Sequence, residues 1–242
     1  MPEAVLEVQG LTAGYRPDLP ILHDVSIRAA RGTLTVLIGP NGAGKSTLMK
    51  AIAGLVTVTG GTIRHDGAAI THIRPDQMAR HGIAYVPQSD NIFRSLTVRQ
   101  NLELAQRRQP DAGGLEPVLR QFPALKEKLA VKAGALSGGQ RQFLAVAMAL
   151  GTHPRLLLLD EPSAGLAPKA AQEVLEHARH LTDDGVTVLL VEQNVNQALR
   201  LADHCYILAE GRNQIDGKAA ELLDNPVVAE IYLGGKRLRA EA

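Results

Sequence analysis

Short apolar runs of strand length alternate along this chain with stretches whose apolar residues recur at helical spacing. LEVQGL, VSIRAARGTLTVLIG, GTIRHDG and IAYVPQ read as strands, and a glycine-rich loop opens the helix KSTLMKAIAGL. Farther on, RLLLLDE, VTVLLVEQ and HCYILAEGRNQIDG are strand-like, separated by the helical PKAAQEVLEHARHL and NQALRLAD. This alternation predicts an α/β fold with a mostly parallel sheet, and the closely spaced early strands predict an antiparallel N-terminal β subdomain. Between Gln88 and Leu150 the strand signal disappears. LTVRQNLELAQRR, LEPVLRQFPALKEKL and SGGQRQFLAVAMAL read there as helices broken by Pro and Gly. The expected organisation is a single domain over 1–242, with a core of 1–87 and 151–242 and a helical subdomain of 88–150. The final GGKRLRAEA reads as a frayed basic tail.

Composition narrows the functional classes. Lys plus Arg number 26 and Asp plus Glu 25, so no global positive field draws the chain to nucleic acid or anionic lipid. The lone cysteine, Cys205, lies in the apolar context HCYILA and reads as a buried inert thiol. Neither a signal-peptide pattern nor an apolar stretch of about 18 residues is seen, so a soluble protein is expected unless a partner holds it at a membrane. With only 4 Tyr, 3 Phe and no Trp, an aromatic near a ligand loop stands out, and Tyr15 is one.

The chemistry begins at GPNGAGKST, Gly39 to Thr47, which fits G-x-x-x-x-G-K-[ST] and lies between an apolar strand and a helix. A triphosphate needs a wrap of backbone N–H groups, so side chains are expected to be absent at Gly42 and Gly44, with the helix dipole favouring the anion. Pro40, Asn41, Ala43 and Thr47 complete the loop. Lys45 would reach the outer phosphates and Ser46 would ligate Mg²⁺. RLLLLDE ends a strand buried on both faces with Asp160 and Glu161 at the ligand edge. One carboxylate there can hold a metal through water while the other deprotonates the attacking water. In ALSGGQRQ, Ser137 reads as an N-cap, but two glycines in the first helical turn cost about 1 kcal/mol each relative to Ala. Exposed N–H groups at a helix start form an anion site, and a second such site points to phosphate from elsewhere.

In this order, GPNGAGKST, YVPQ, LSGGQ and LLLLDEP resemble the Walker A loop, Q-loop, signature and Walker B strand of the ATP-binding subunits of ABC transporters, and the resemblance covers nearly the whole chain. It implies a P-loop NTPase core, ATP and Mg²⁺ as cofactors, and two nucleotide domains that close head to tail. By the same resemblance Gln88 ligates Mg²⁺ and senses the γ-phosphate, Glu161 is the general base, and Ser137, Gly138, Gly139 and Gln140 act on the partner's nucleotide. Tyr15 matches the aromatic that stacks on adenine, with a surface tyrosine as the alternative. Ile92 and Phe93 would meet a helix of the membrane partner or pack within the insertion. Two positions depart from the family. Ala167 stands where most relatives have Asp, and Gln193 where most have a histidine facing the γ-phosphate. With RQFPALKEKL and IYLGG these departures resemble the smaller ATPase subunit of branched-chain amino-acid uptake systems, ahead of lipopolysaccharide-export ATPases. The implied protein is an ATPase at the cytoplasmic face of the plasma membrane that powers an importer. Its implied partners are permease subunits, a second ATPase subunit in a heterodimer (a homodimer being the alternative) and, indirectly, a solute-binding protein. A ribosome- or nucleic-acid-associated ATPase of the same family would carry fused domains, long coiled coils or a basic surface. A non-hydrolysing module fits poorly with Lys45 and Glu161.

Overall fold

A computed structural model describes residues 3–107, 114–223 and 225–228; the IYLGG and GGKRLRAEA segments lie outside the described residues. The chain runs β1 (Ala4–Gly14), β2 (Leu22–Ala30), β3 (Leu34–Ile38), α1 (Lys45–Ile52), β4 (Thr57–His65), β5 (Ala68–Ala69) and β6 (Ile83–Val86). It continues through α2 (Val98–Gln106), α3 (Glu116–Gln121), α4 (Pro123–Lys126), α5 (Gly138–Leu150), β7 (Leu156–Asp160), α6 (Pro168–Asp183) and β8 (Thr187–Val191). It closes with α7 (Val195–Leu201), β9 (His204–Ala209), β10 (Arg212–Lys218) and α8 (Ala219–Leu222).

The strands form two sheets, a four-stranded β2-β1-β4-β5 and a six-stranded β10-β9-β3-β8-β7-β6. The first is antiparallel throughout; in the second only the β9–β10 pair at the edge is antiparallel. Every residue of β3, β7 and β8 is buried, which is why their sequences are continuous apolar runs. Alternation persists beneath that uniformity. Leu157 and Leu159 face the core shared with the helices, and Leu156 and Leu158 face the core shared with the N-terminal sheet and α1. VSIRAARGTLTVLIG is not one element. It breaks at Arg31–Gly32, where Gly32 takes a positive φ, and its halves join different sheets. A 3₁₀ helix at Pro75–His81 also lies in a stretch that carries no clear helical period.

Between β6 and β7 the described residues form helices and turns, with α5 packed against α2 and α6. Phe122, Phe143 and His177 meet there, with the histidine ring centroid 4.5 and 5.7 Å from the two phenylalanines. Burial, reinforced by His180 and opposed by Asp184, holds the His177 imidazole below its usual pKa. A base depressed in the folded state binds its proton more readily when unfolded. Its contribution to stability is therefore present above the ordinary histidine pKa of about 6.5 and is lost as pH falls through the folded value. His177→Phe is expected to flatten the fall in melting temperature between neutral and mildly acidic pH, measured by thermal denaturation across that range.

Ala167 sits at the N-cap of α6 in extended conformation and offers no side-chain cap. Ala167→Asp is expected to add about 1 kcal/mol of stability, raising the melting temperature by about 2–4 °C in a scan. The family's usual residue would thus stabilise the helix, and its absence has no structural gain here.

Candidate active site

The phosphate loop leaves β3 and enters α1. Gly39 has φ 150, and a Cβ there would stand 2.0 Å from the Leu208 carbonyl oxygen; Gly44, the N-cap of α1, has φ 96, and its Cβ would meet Leu22 at 2.7 Å. Both positions therefore exclude any side chain. The turn between β9 and β10 closes the loop from below. Gly211 N–H donates to the Ala43 carbonyl (3.1 Å), and the Gly211 carbonyl accepts from His23 N–H (2.8 Å). The resulting cleft, about 200 Å³, is lined by Asn41, Gly42, Ala43, Gly44, Lys45, Ser46, Thr47, Ile21 and Glu161. The Lys45 ammonium folds back over the loop and donates to the carbonyls of Gly39 (2.8 Å) and Pro40 (3.1 Å). Burial lowers its pKa, opposed by the charges of Glu161 and Asp160.

Three strand ends meet beyond it. Asp160 closes β7, and its Oδ1 accepts from the Ser46 hydroxyl (3.0 Å) and its Oδ2 from Tyr85 on β6 (3.1 Å). Burial pushes the Asp160 carboxyl up; those two hydrogen bonds, with Lys50 and Lys45, pull it down. Glu161 is nearly buried and has φ 48, an uncommon conformation for a residue with a Cβ. Its Oε2 accepts from the Gln88 amide at 2.8 Å and from the Gln193 amide at 2.6 Å. The resemblance implies a γ-phosphate facing Gln193, and here its N–H₂ lies on the carboxylate. Oε1 is the oxygen that neither amide takes. The donor set also fits a hard cation. Ser46 gives its proton to Asp160 and Gln88 gives an N–H to Glu161, which leaves the Ser46 oxygen lone pairs and the Gln88 carbonyl for a metal.

The ABC transporter family profile matches residues 22–164. The chain belongs to the ABC transporter family. It is 43% identical to the high-affinity branched-chain amino acid transport ATP-binding protein BraG of Pseudomonas aeruginosa over 224 residues, which cover 91% of this chain and 96% of the relative. It is 42% identical to the probable branched-chain amino acid transport ATP-binding protein LivF of Archaeoglobus fulgidus, covering 95% and 99%. Among solved structures, an ATP-binding cassette of an ABC transporter in its ADP conformation superimposes with a TM-score of 0.86 at 29% identity, covering 96% of this chain and 99% of that one. As an ABC ATPase the chain binds nucleotide and hydrolyses ATP in a cycle coupled to transport, and it works with transmembrane permease subunits as a membrane-associated component. No helix among the described residues is long and apolar enough to cross a membrane.

In this ABC cassette Ser137 caps α5 reciprocally. Its hydroxyl accepts from Gln140 N–H (3.3 Å), and the Gln140 side chain accepts from Ser137 N–H (3.2 Å). The glycines behind it also answer a packing demand, since a Cβ on Gly138 would meet Leu166 at 3.0 Å and one on Gly139 would meet Ala170 at 3.1 Å. Gly138 lines a second cleft with Gln88, Asn91 and Arg141, and among the described residues Ser137–Gln140 take no part in lining the phosphate-loop cleft. Tyr15 is 56% exposed, with Lys50 donating to its hydroxyl at 2.9 Å and lying 5.2 Å from its ring centroid. Ile92 packs on the core, whereas Phe93 is 52% exposed and is presented by Asn101, which exchanges hydrogen bonds with both its N–H (2.8 Å) and its carbonyl (3.0 Å). Tyr85 and Glu192 belong to the site and were not legible as such, because each meets its partner only through the sheet order. Cys205 is buried, and burial pushes its thiol up to about 12.

Proposed function

We propose that this chain powers an importer of branched-chain or other hydrophobic amino acids, from the cytoplasmic face of the plasma membrane. The observation that carries this reading is the identity above 40% to two branched-chain transport ATP-binding proteins over at least nine-tenths of the chain. Its partner ATPase is a different subunit of the same family, and the exposed Phe93 meets the permease. Residues 39–47 hold the triphosphate, and Tyr15 stacks on the adenine. Ser46, Gln88 and Asp160 would hold Mg²⁺, Asp160 through water, and the ion would screen phosphate charge. Glu161 takes the proton of the attacking water on Oε1, held in place by Gln88 and Gln193 through Oε2. Ser137, Gly138, Gly139 and Gln140 close on the partner's nucleotide, a reading supported by their absence from the lining of the cleft that holds Lys45. A core of 1–87 and 151–242 with a helical subdomain of 88–150 supports such a closing motion.

Purification from membranes with bound subunits tests the reading. Recovery with a permease and a second ATPase, and turnover stimulated by a leucine-loaded binding protein, is expected; recovery with ribosomes or a lipopolysaccharide-export permease would reject it. Gln193→Ala, which removes one of the two donors on Glu161, is expected to slow turnover by about 10-fold with little change in ATP affinity. Steady-state kinetics and nucleotide titration separate the two effects, and equal rates would make Gln193 a spectator.

A further inference from the structure

We propose that Glu192 is a positioning residue for hydrolysis, its buried carboxylate clasping the turn after Glu161 and so fixing where that base stands. Glu192 is 2% exposed and directly follows β8, beside Gln193. Its Oε1 accepts from Ser163 N–H at 3.2 Å, and its Oε2 accepts from the Ser163 hydroxyl at 2.8 Å and from Gln193 N–H at 3.2 Å. All three donors thus come from the two turns that leave β7 and β8. A buried carboxylate is costly unless donors converge on it, and here they converge at the base.

Glu161 needs such a hold. Its backbone is left-handed, an unfavourable state for a residue with a Cβ, and it is tied down by its own N–H on the Val191 carbonyl (3.0 Å) and by Ala164 N–H on its carbonyl (3.1 Å). Glu192 adds two further constraints. Through Ser163 it fixes the turn that carries Glu161, and through Gln193 N–H it fixes the residue whose amide grips Glu161 Oε2. Burial raises the Glu192 pKa, opposed by the hydrogen bonds from Ser163 and Gln193, so these contacts favour the charged form. The inference rests on Glu161 being the base.

On the full chain, Glu192→Gln is expected to lower kcat by about 10- to 100-fold, the effect of misplacing a reacting group by about 1 Å, with KM for MgATP within about threefold. The neutral amide keeps the size of the side chain but puts an N–H₂ where donors point. Ser163→Ala should lower kcat less, Ser163→Thr should keep the rate near the parent's, and the double variant should be no worse than Glu192→Gln, because the Ser163 hydroxyl acts through Glu192. Amide exchange reads the clasp without turnover: the peptide spanning 161–166 should exchange at least about tenfold faster in Glu192→Gln. A folded Glu192→Gln with kcat within about twofold of the parent, unchanged exchange, or additive losses in the double variant would overturn the proposal. Should Glu192→Gln not fold, Ser163→Ala decides by the same rate and exchange measurements. If Glu161→Gln hydrolyses ATP normally, it is the assignment of the base that fails, and the exchange comparison still decides the clasp.

Discussion

Glu161→Gln is expected to lower ATP turnover by about 10³-fold or more while leaving MgATP affinity within about threefold, since loss of a general base removes an effect of 10²–10⁴ that binding does not share. The substitution is close to isosteric. Its amide oxygen can still accept from Gln88 and Gln193, which now meet on Glu161 Oε2. What disappears is an oxygen able to take a proton. With the partner ATPase present, the nucleotide-bound pair should then accumulate instead of reopening, visible as a shift to the combined mass of the two subunits by size-exclusion chromatography with ATP and Mg²⁺. Turnover within about tenfold of the parent would place the base elsewhere.

Lys45→Ala should have the other large effect, and on binding itself. The ammonium is buried at the loop and has only the carbonyls of Gly39 and Pro40 as close partners in the described structure. A charged donor to phosphate is worth about 1.5–3 kcal/mol, so ATP affinity should fall by about 10- to 100-fold and turnover should vanish. The nucleotide-free protein should melt within about 3 °C of the parent, because removing a desolvated charge offsets the two lost hydrogen bonds. MgATP, which stabilises the parent by mass action, should raise the melting temperature of the variant clearly less than that of the parent at the same concentration. A variant stabilised by MgATP as strongly as the parent would remove Lys45 from the phosphate site.

What could be read from the chain follows the distance over which each contact acts. The phosphate loop is contiguous, so its glycines and the start of its helix announce themselves in nine residues directly after an apolar strand, and four leucines before Asp160 announce a doubly buried strand. The α/β class follows from the alternation alone. Contacts made across the sheet are different. Tyr85 meets Asp160 and Ser163 meets Glu192 only because β6, β7 and β8 are neighbours, an order no local pattern specifies. The same reason hid the contact of Gln193 with Glu161: resemblance supplied a phosphate as its target, while adjacency of two strand ends supplied a carboxylate. The packing need of the signature glycines was not legible, because Ala170 and Leu166 lie in a later helix and turn.

The seat of β3 between β9 and β8 also governs how the molecule can be made. Residues 39–47 leave the ribosome early, yet their strand has no lateral neighbour until residues 187–191 and 204–209 have been translated, and Ala43 lacks its donor until Gly211 follows. A shorter nascent chain carries the entire phosphate motif and no pocket. The pocket is thus complete only when the sheet nearly is, and nucleotide that binds it favours the fully threaded chain by mass action.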